Sequence, residues 1–101
     1  MTHHGIEFPQ EAITSFCRSH GVARLALFGS ILRDDFGPDS DVDVLVEFLP
    51  GRVPGLLGMA AMERELSELL GRQVDLRTAA ELSRYFRDEV VQGSEVQYAG
   101  G

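Results

Sequence analysis

Hydrophobic positions along the 101 residues fall into two rhythms, and the alternation between them predicts the order of elements. From Pro9 to about Ser19, Ile13, Phe16 and Cys17 recur at helical spacing, with Pro9 in the first turn and Gly21 closing the segment. "VARLALF" then reads as a strand that stops at Gly29, before a short helix over "ILRDD". "VDVLVEF" alternates strictly: Val42, Val44 and Val46 share one face, while Asp41, Asp43 and Leu45 share the other. The composition of "LPGRVPG" is that of a loop. Leu56 to Leu70 returns to helical spacing through Met59, Met62, Leu66 and Leu69, with Gly71 as its stop. "QVDLRT" predicts a short third strand. "AAELSRYFRDEVV" predicts a last helix with Leu82, Tyr85, Phe86 and Val90 turned inward. "GSEVQYAGG" can hold a last short strand or turn. The order α-β-β-α-β-α is that of a small sheet packed with helices, the α+β class. One domain over residues 1–101 is expected, with 1–8 and 94–101 as flexible tails.

Composition narrows the choice of partners. Net charge is −7 and all nine basic residues are arginine. With no lysine there is no P-loop lysine and no Schiff base. The acidity also argues against an extended nucleic-acid interface, which needs a basic stripe to displace counterions. Metal cations, a metal-complexed nucleotide or a basic protein surface are favoured instead. The lone Cys17 forms no internal disulfide and reads as a small buried hydrophobe. No stretch has the roughly 20 apolar residues of a membrane span. "MTHHGIEFPQ" lacks the basic and apolar regions of a secretory signal. A cytoplasmic protein is expected.

The chemistry concentrates in "GSILRDDFGPDSDVDVLV", where Asp34, Asp35, Asp39, Asp41 and Asp43 fall within ten positions. Unscreened carboxylates repel by roughly 1 kcal/mol per pair at 4 Å in water, and by more where solvent is excluded. Asp35 and Asp39 suit a solvated turn around "GPDS". Asp41 and Asp43 lie within the alternating segment, and their side chains leave one face about 6.5–7 Å apart. That spacing suits two hard cations roughly 3.5–4 Å apart, and oxygen donors on an open site suit Mg²⁺. Asp75, between Val74 and Leu76, can add a third carboxylate if its strand is a neighbour. An EF-hand is excluded, because a loop begun at Asp39 has Val44 at its sixth position and Pro50 at its twelfth. Gly29 lets a phosphate approach the backbone, and Ser30 can cap a helix and offer its hydroxyl. "LFGSI" is not G-x-S-x-G and has no His nearby, so Ser30 is not read as a nucleophile. A phosphate cradle, Arg33 and paired carboxylates together form a site for a Mg-bound nucleoside triphosphate. Without metal, raised carboxylate pKa values and a looser loop are expected.

This stretch resembles the signature of polymerase-β-like nucleotidyltransferases, in which Gly-Ser is followed about ten residues later by Asp-x-Asp. The wider pattern resembles the minimal nucleotidyltransferase (MNT) branch: "LALF", Arg33, "PDSDVD", "MERELSELLGRQ", "VDL" and "AAELSRYFRDEVV". The resemblance implies a small mixed sheet of the polymerase-β-like fold, with Gly29 and Ser30 holding the triphosphate. It implies two Mg²⁺ ions on Asp41 and Asp43, and Asp75 completing the metal site and helping to deprotonate the acceptor. Arg33 is expected to support the phosphates or the acidic loop. The implied role is that of an antitoxin, paired in a hetero-oligomer with a HEPN-type toxin and transferring AMP from ATP to a toxin hydroxyl, a tyrosine in some members. The alternatives are an antitoxin that neutralises by binding alone, and a nucleotidyltransferase acting on a small molecule or an RNA end.

Overall fold

A computed structural model describes residues 2–100. Its elements are β1 (Thr2–His3), β2 (Ile6–Glu7), α1 (Gln10–His20), β3 (Val22–Phe28), β4 (Val42–Phe48), α2 (Leu56–Leu70), β5 (Val74–Arg77), α3 (Arg87–Gly93) and β6 (Glu95–Ala99). The main sheet runs β5-β4-β3-β6 and is mixed: β4 and β5 are parallel, and the other pairs are antiparallel. The class expected from the sequence is the class observed.

Alternation along the strands gives the sheet two chemically different faces. Leu25 lies opposite Val46, Leu27 opposite Val44, and Val44 opposite Leu76. These residues join Ile13, Phe16, Cys17, Met62, Leu66 and Leu70 of the two long helices in one core. Each such side chain contributes roughly 1.5–3 kcal/mol by leaving water. Burial pushes the Cys17 thiol up to about 12, so it stays a neutral hydrophobe. His20 stacks against Phe16 and pairs with Glu65, joining the end of α1 to α2.

The second face carries Ala26, Phe28, Asp43, Leu45, Asp75 and Arg77, which the register places together. It is partly covered by residues 79–93, a segment that differs from its sequence expectation. The continuous helix expected over "AAELSRYFRDEVV" is two pieces, a 3₁₀ turn at Ala79–Glu81 and α3. Thr78 and Glu81 form a reciprocal capping box at the start of the first piece, which ends after one turn because Leu82 is extended. The Arg87 guanidinium then donates to the carbonyls of Ala79, Ala80 and Leu82, the first of which also accepts from the Leu82 N–H. Tyr85 and Phe86, expected inward, are 78% and 60% exposed, while Leu82 and Val90 are half-buried.

Both ends of the chain, expected as flexible tails, carry strands. β1 and β2 form a hairpin whose turn residues His4 and Gly5 both have positive φ, +50° and +79°. That is the backbone of a two-residue turn matched to strand twist. Ile6 and Phe8 are buried beneath it. β6 pairs with β3, and its Gln97 carbonyl accepts a 2.9 Å hydrogen bond from Gln10, while His3 meets Glu95 at 2.9 Å. The two ends thus hold one another.

At the opposite edge, β5 has neighbours on both sides although only one is a strand. The Leu76 N–H donates to Glu63 at 2.8 Å and the Val74 N–H to the Ser67 hydroxyl at 2.9 Å, both acceptors on α2. These side chains blunt the edge and fix the strand that carries Asp75. A hydrogen bond to a charged acceptor contributes about 1.5–3 kcal/mol, and partial solvation here places Glu63 near the lower end. We predict that Glu63→Ala lowers the melting temperature by several degrees, at roughly 4–8 °C per kcal/mol for a domain of about 100 residues. Glu63→Gln, which keeps an acceptor, should lose less than half as much in the same thermal unfolding measurement.

Candidate active site

The site is built by strand register. In the parallel pair β4/β5, Asp43 lies directly opposite Asp75, and in β3/β4 Phe28 lies opposite Asp43. Gly29 therefore begins where the chain leaves the sheet beside Asp43. Its φ is +75°, and a Cβ there would sit 2.2 Å from Asp43 Oδ2. Glycine is required on both counts, because side chains favour neither that backbone nor that space. Residues Gly29–Leu32 make a single 3₁₀ turn that no side chain caps, shorter than the helix expected over "ILRDD". Such a turn has little macrodipole; what it offers is backbone N–H groups. The Ser30 N–H already donates to the Asp43 carboxylate.

The electrostatics centre on Asp43. Burial raises its pKa above the ordinary carboxylate range, and the negative charges of Asp75 and then Asp41 raise it further. The Ser30 N–H and the Arg77 guanidinium oppose this. Asp41, just before β4, is exposed. Asp75 is held by Arg77, whose Nε donates to Oδ1 at 2.9 Å and whose second guanidinium nitrogen donates to Oδ2 at 3.4 Å. That fork in turn raises the Arg77 pKa. Arg77 is two residues from Asp75 on the same strand face, a spacing legible in "VDLR" but not singled out as functional from the sequence.

Arg33 donates to Asp35 at 3.1 Å on the exposed acidic loop. It also lines a depression with Gly29, Leu32, Phe86 and Val90. The acidic turn, expected to be loose without metal, is pinned by another unanticipated residue. Arg72 donates to the carbonyls of Gly37, Pro38 and Ser40, and its guanidinium lies 4.7 Å from the centre of the Phe36 ring. Ser40 closes the turn by accepting from the Gly37 N–H at 3.0 Å. The aspartates repel, but one guanidinium nitrogen of Arg72, shared among three backbone carbonyls, holds the chain that carries them.

Asp43 and Asp75 are thus side by side, with Asp41 two residues upstream. Among the described residues no three His, Cys, Asp or Glu side chains are placed so as to hold a metal ion, so the expected trio of Asp41, Asp43 and Asp75 is not gathered. Asp75 faces Arg77, and Asp43 faces the Ser30 N–H. The donors still fit a divalent cation. They are hard oxygens on an open face, and burial together with the charges of Asp75 and Asp41 disfavours an ionised Asp43 that has no cation beside it.

Comparison with known proteins agrees with this geometry. Residues 10–96 match the model of the nucleotidyltransferase domain family. The chain is 38% identical over 72 residues to a Methanocaldococcus jannaschii protein named "Putative protein adenylyltransferase MJ0435", covering 71% of this chain and 75% of the relative. It is similar to the solved structure of a "putative minimal nucleotidyltransferase", with 38% identity and a TM-score of 0.68, covering 86% of this chain and 85% of the other. A chain in the complex of a tri-AMPylated Shewanella oneidensis HEPN toxin with an MNT antitoxin shares the fold. There the identity is 18% and the TM-score 0.62, over 89% of this chain and 69% of the other. The architecture is that of the polymerase-β-like nucleotidyltransferases. The chain belongs to the nucleotidyltransferase domain family and, within it, to the minimal nucleotidyltransferases.

Two expectations follow for the metal-free protein. Gly29→Ala should lower the melting temperature by several degrees, since left-handed backbone alone costs roughly 1–2 kcal/mol, and should displace Asp43. For Asp43, the folded-state pKa exceeds the unfolded one, so the folded state binds the proton more tightly. Stability from this group is therefore full below an unfolded pKa of about 4 and declines as pH rises through the folded value. Asp43→Asn removes that titration. Its melting temperature should vary less between pH 4 and 8 and equal or exceed that of the wild type at pH 7.5, as read by calorimetry without divalent ions.

Proposed function

We propose that this protein is a Mg²⁺-dependent adenylyltransferase that transfers AMP from ATP to a tyrosine hydroxyl of a HEPN-type toxin, acting as the antitoxin of that pair. The observation that carries the reading is the placement of Asp43 beside Asp75, with Gly29 and the Ser30 N–H against Asp43. The adenylyltransferase relative and the family match support it. The toxin and the AMP group come from the shared fold of the AMPylated complex. The protein would work in the cytoplasm, where its single thiol stays reduced, and within a hetro-oligomer with the toxin.

Asp41, Asp43 and Asp75 would hold two Mg²⁺ ions, which when bound supply charge neutralisation at the α-phosphate and the acceptor oxygen. Gly29 and Ser30 would hold the triphosphate through the backbone N–H groups of their turn, while the absence of a Gly29 Cβ makes room for the Asp43 carboxylate beside them. Arg33 stands at the same depression and can meet a phosphate once released from Asp35. The acceptor oxygen attacks the α-phosphorus in line, the bond to the β-phosphate oxygen breaks, and pyrophosphate leaves. Asp75 takes the hydroxyl proton, which requires that its carboxylate first part from Arg77. Arg77 then becomes free to face the departing negative charge. The protein supplies position and electrostatics, not covalent chemistry.

The test is intact mass of the partner after incubation with this protein, ATP and Mg²⁺. The wild type should add AMP in units of one nucleotide, and Asp41→Ala/Asp43→Ala should add none, a loss of at least a thousandfold in rate. Neutralisation of the toxin by the double variant without an adduct would establish masking by binding instead.

A further inference from the structure

The entrance to α2 presents apolar side chains that the fold does not use. Val53, Leu56 and Leu57 are 70%, 88% and 86% exposed, whereas the core face of α2 is Met62, Leu66 and Leu70. Scattered exposed leucines are ordinary, but these are neither scattered nor remote. Leu56 and Leu57 form the lip of a depression of about 410 Å³ that Asp75 and Arg77 also line. The distance from lip to carboxylate is fixed by the hydrogen bonds from β5 to Glu63 and Ser67. Behind the lip the apolar Met59, Ala60 and Leu76 line the depression together with three carboxylates, Glu63, Asp75 and Glu81, against the single Arg77.

An apolar lip joined to an acidic floor complements one kind of surface: apolar side chains flanked by a basic residue. The protein's net charge of −7 acts in the same direction at longer range. Gly29, by contrast, lies with Arg33 and Phe86 in a separate depression. We propose that Val53, Leu56 and Leu57 are the docking surface for the acceptor protein. An apolar segment of the HEPN-type partner lies over the lip, and a basic residue next to its target hydroxyl enters the acidic floor. The inference rests on the function proposed above and adds the direction from which the acceptor arrives, the α2 side of Asp75.

The test uses Leu56→Ser/Leu57→Ser, a double variant that should melt with the wild type because both side chains are already in water. Affinity for the HEPN-type partner is measured by calorimetry, AMP addition by intact mass, and binding of Mg²⁺ with a non-hydrolysable ATP analogue separately. The expected result is partner affinity at least tenfold weaker and AMP addition slowed at low partner concentration but restored at saturation. Nucleotide affinity should be unchanged. Partner affinity equal to that of the wild type would overturn the docking surface, as would a wild type that fails to bind the partner. A wild-type dimer that the variant converts to monomer would assign the lip to a second copy and overturn it too. Binding that depends on the lip but yields no AMP adduct would sustain the surface while removing the proposed reaction.

Discussion

Everything at the candidate site depends on one register: Asp43 opposite Asp75 across a parallel strand pair. Two carboxylates so placed have an unfavourable interaction that nothing in the sheet requires. The structure contains that interaction in three ways. A backbone N–H from Ser30 meets Asp43, a guanidinium fork meets Asp75, and Asp41 remains exposed. The first two arrangements occupy groups that the proposed metal-bound triphosphate would need. The metal-free protein is therefore held in a state whose counter-charges can be exchanged for better ones.

The fold separates stability from chemistry by the two faces of one sheet. Val42, Val44 and Val46 bury against α1 and α2, while the alternate positions Asp43 and Leu45 look the other way. A carboxylate can thus sit one residue from a fully buried valine without entering the core. All the basic residues being arginine matters here. Arg72, Arg77 and Arg87 each bind two or more oxygens, on the acidic turn, on Asp75 and on the broken helix before α3. A lysine ammonium is a compact charge without the planar fork that Arg77 and Arg87 use.

Much of this was legible in the sequence. Strict alternation located β4, helical periodicity located α1 and α2, and the Gly-Ser and Asp-x-Asp spacing located the residues that the sheet places side by side. The expected helix over residues 79–91 was misread because Ala, Glu, Leu and Arg all favour helix, and the Thr78–Glu81 capping box does start one, but the backbone turns extended at Leu82 after a single turn. The ends were underread because each is stabilised by the other, through Gln10 to Gln97 and His3 to Glu95, across about 90 residues. Arg72 reaches a turn more than thirty residues earlier, and no local spacing signals that. Arg77 was within reach, since strand period alone places it on the face of Asp75.

The central claim is that burial and the charges of Asp75 and Asp41 together disfavour an ionised Asp43, a penalty that a metal-bound nucleotide would relieve. The direct measurement is its carboxyl titration, followed by carbon-detected nuclear magnetic resonance with and without Mg²⁺ and a non-hydrolysable ATP analogue. The account predicts a metal-free pKa above that of an ordinary aspartate and a fall below the ordinary value when both ligands are added. An Asp43 that titrates as an ordinary carboxylate, or whose titration ignores Mg²⁺ and nucleotide together, would contradict it.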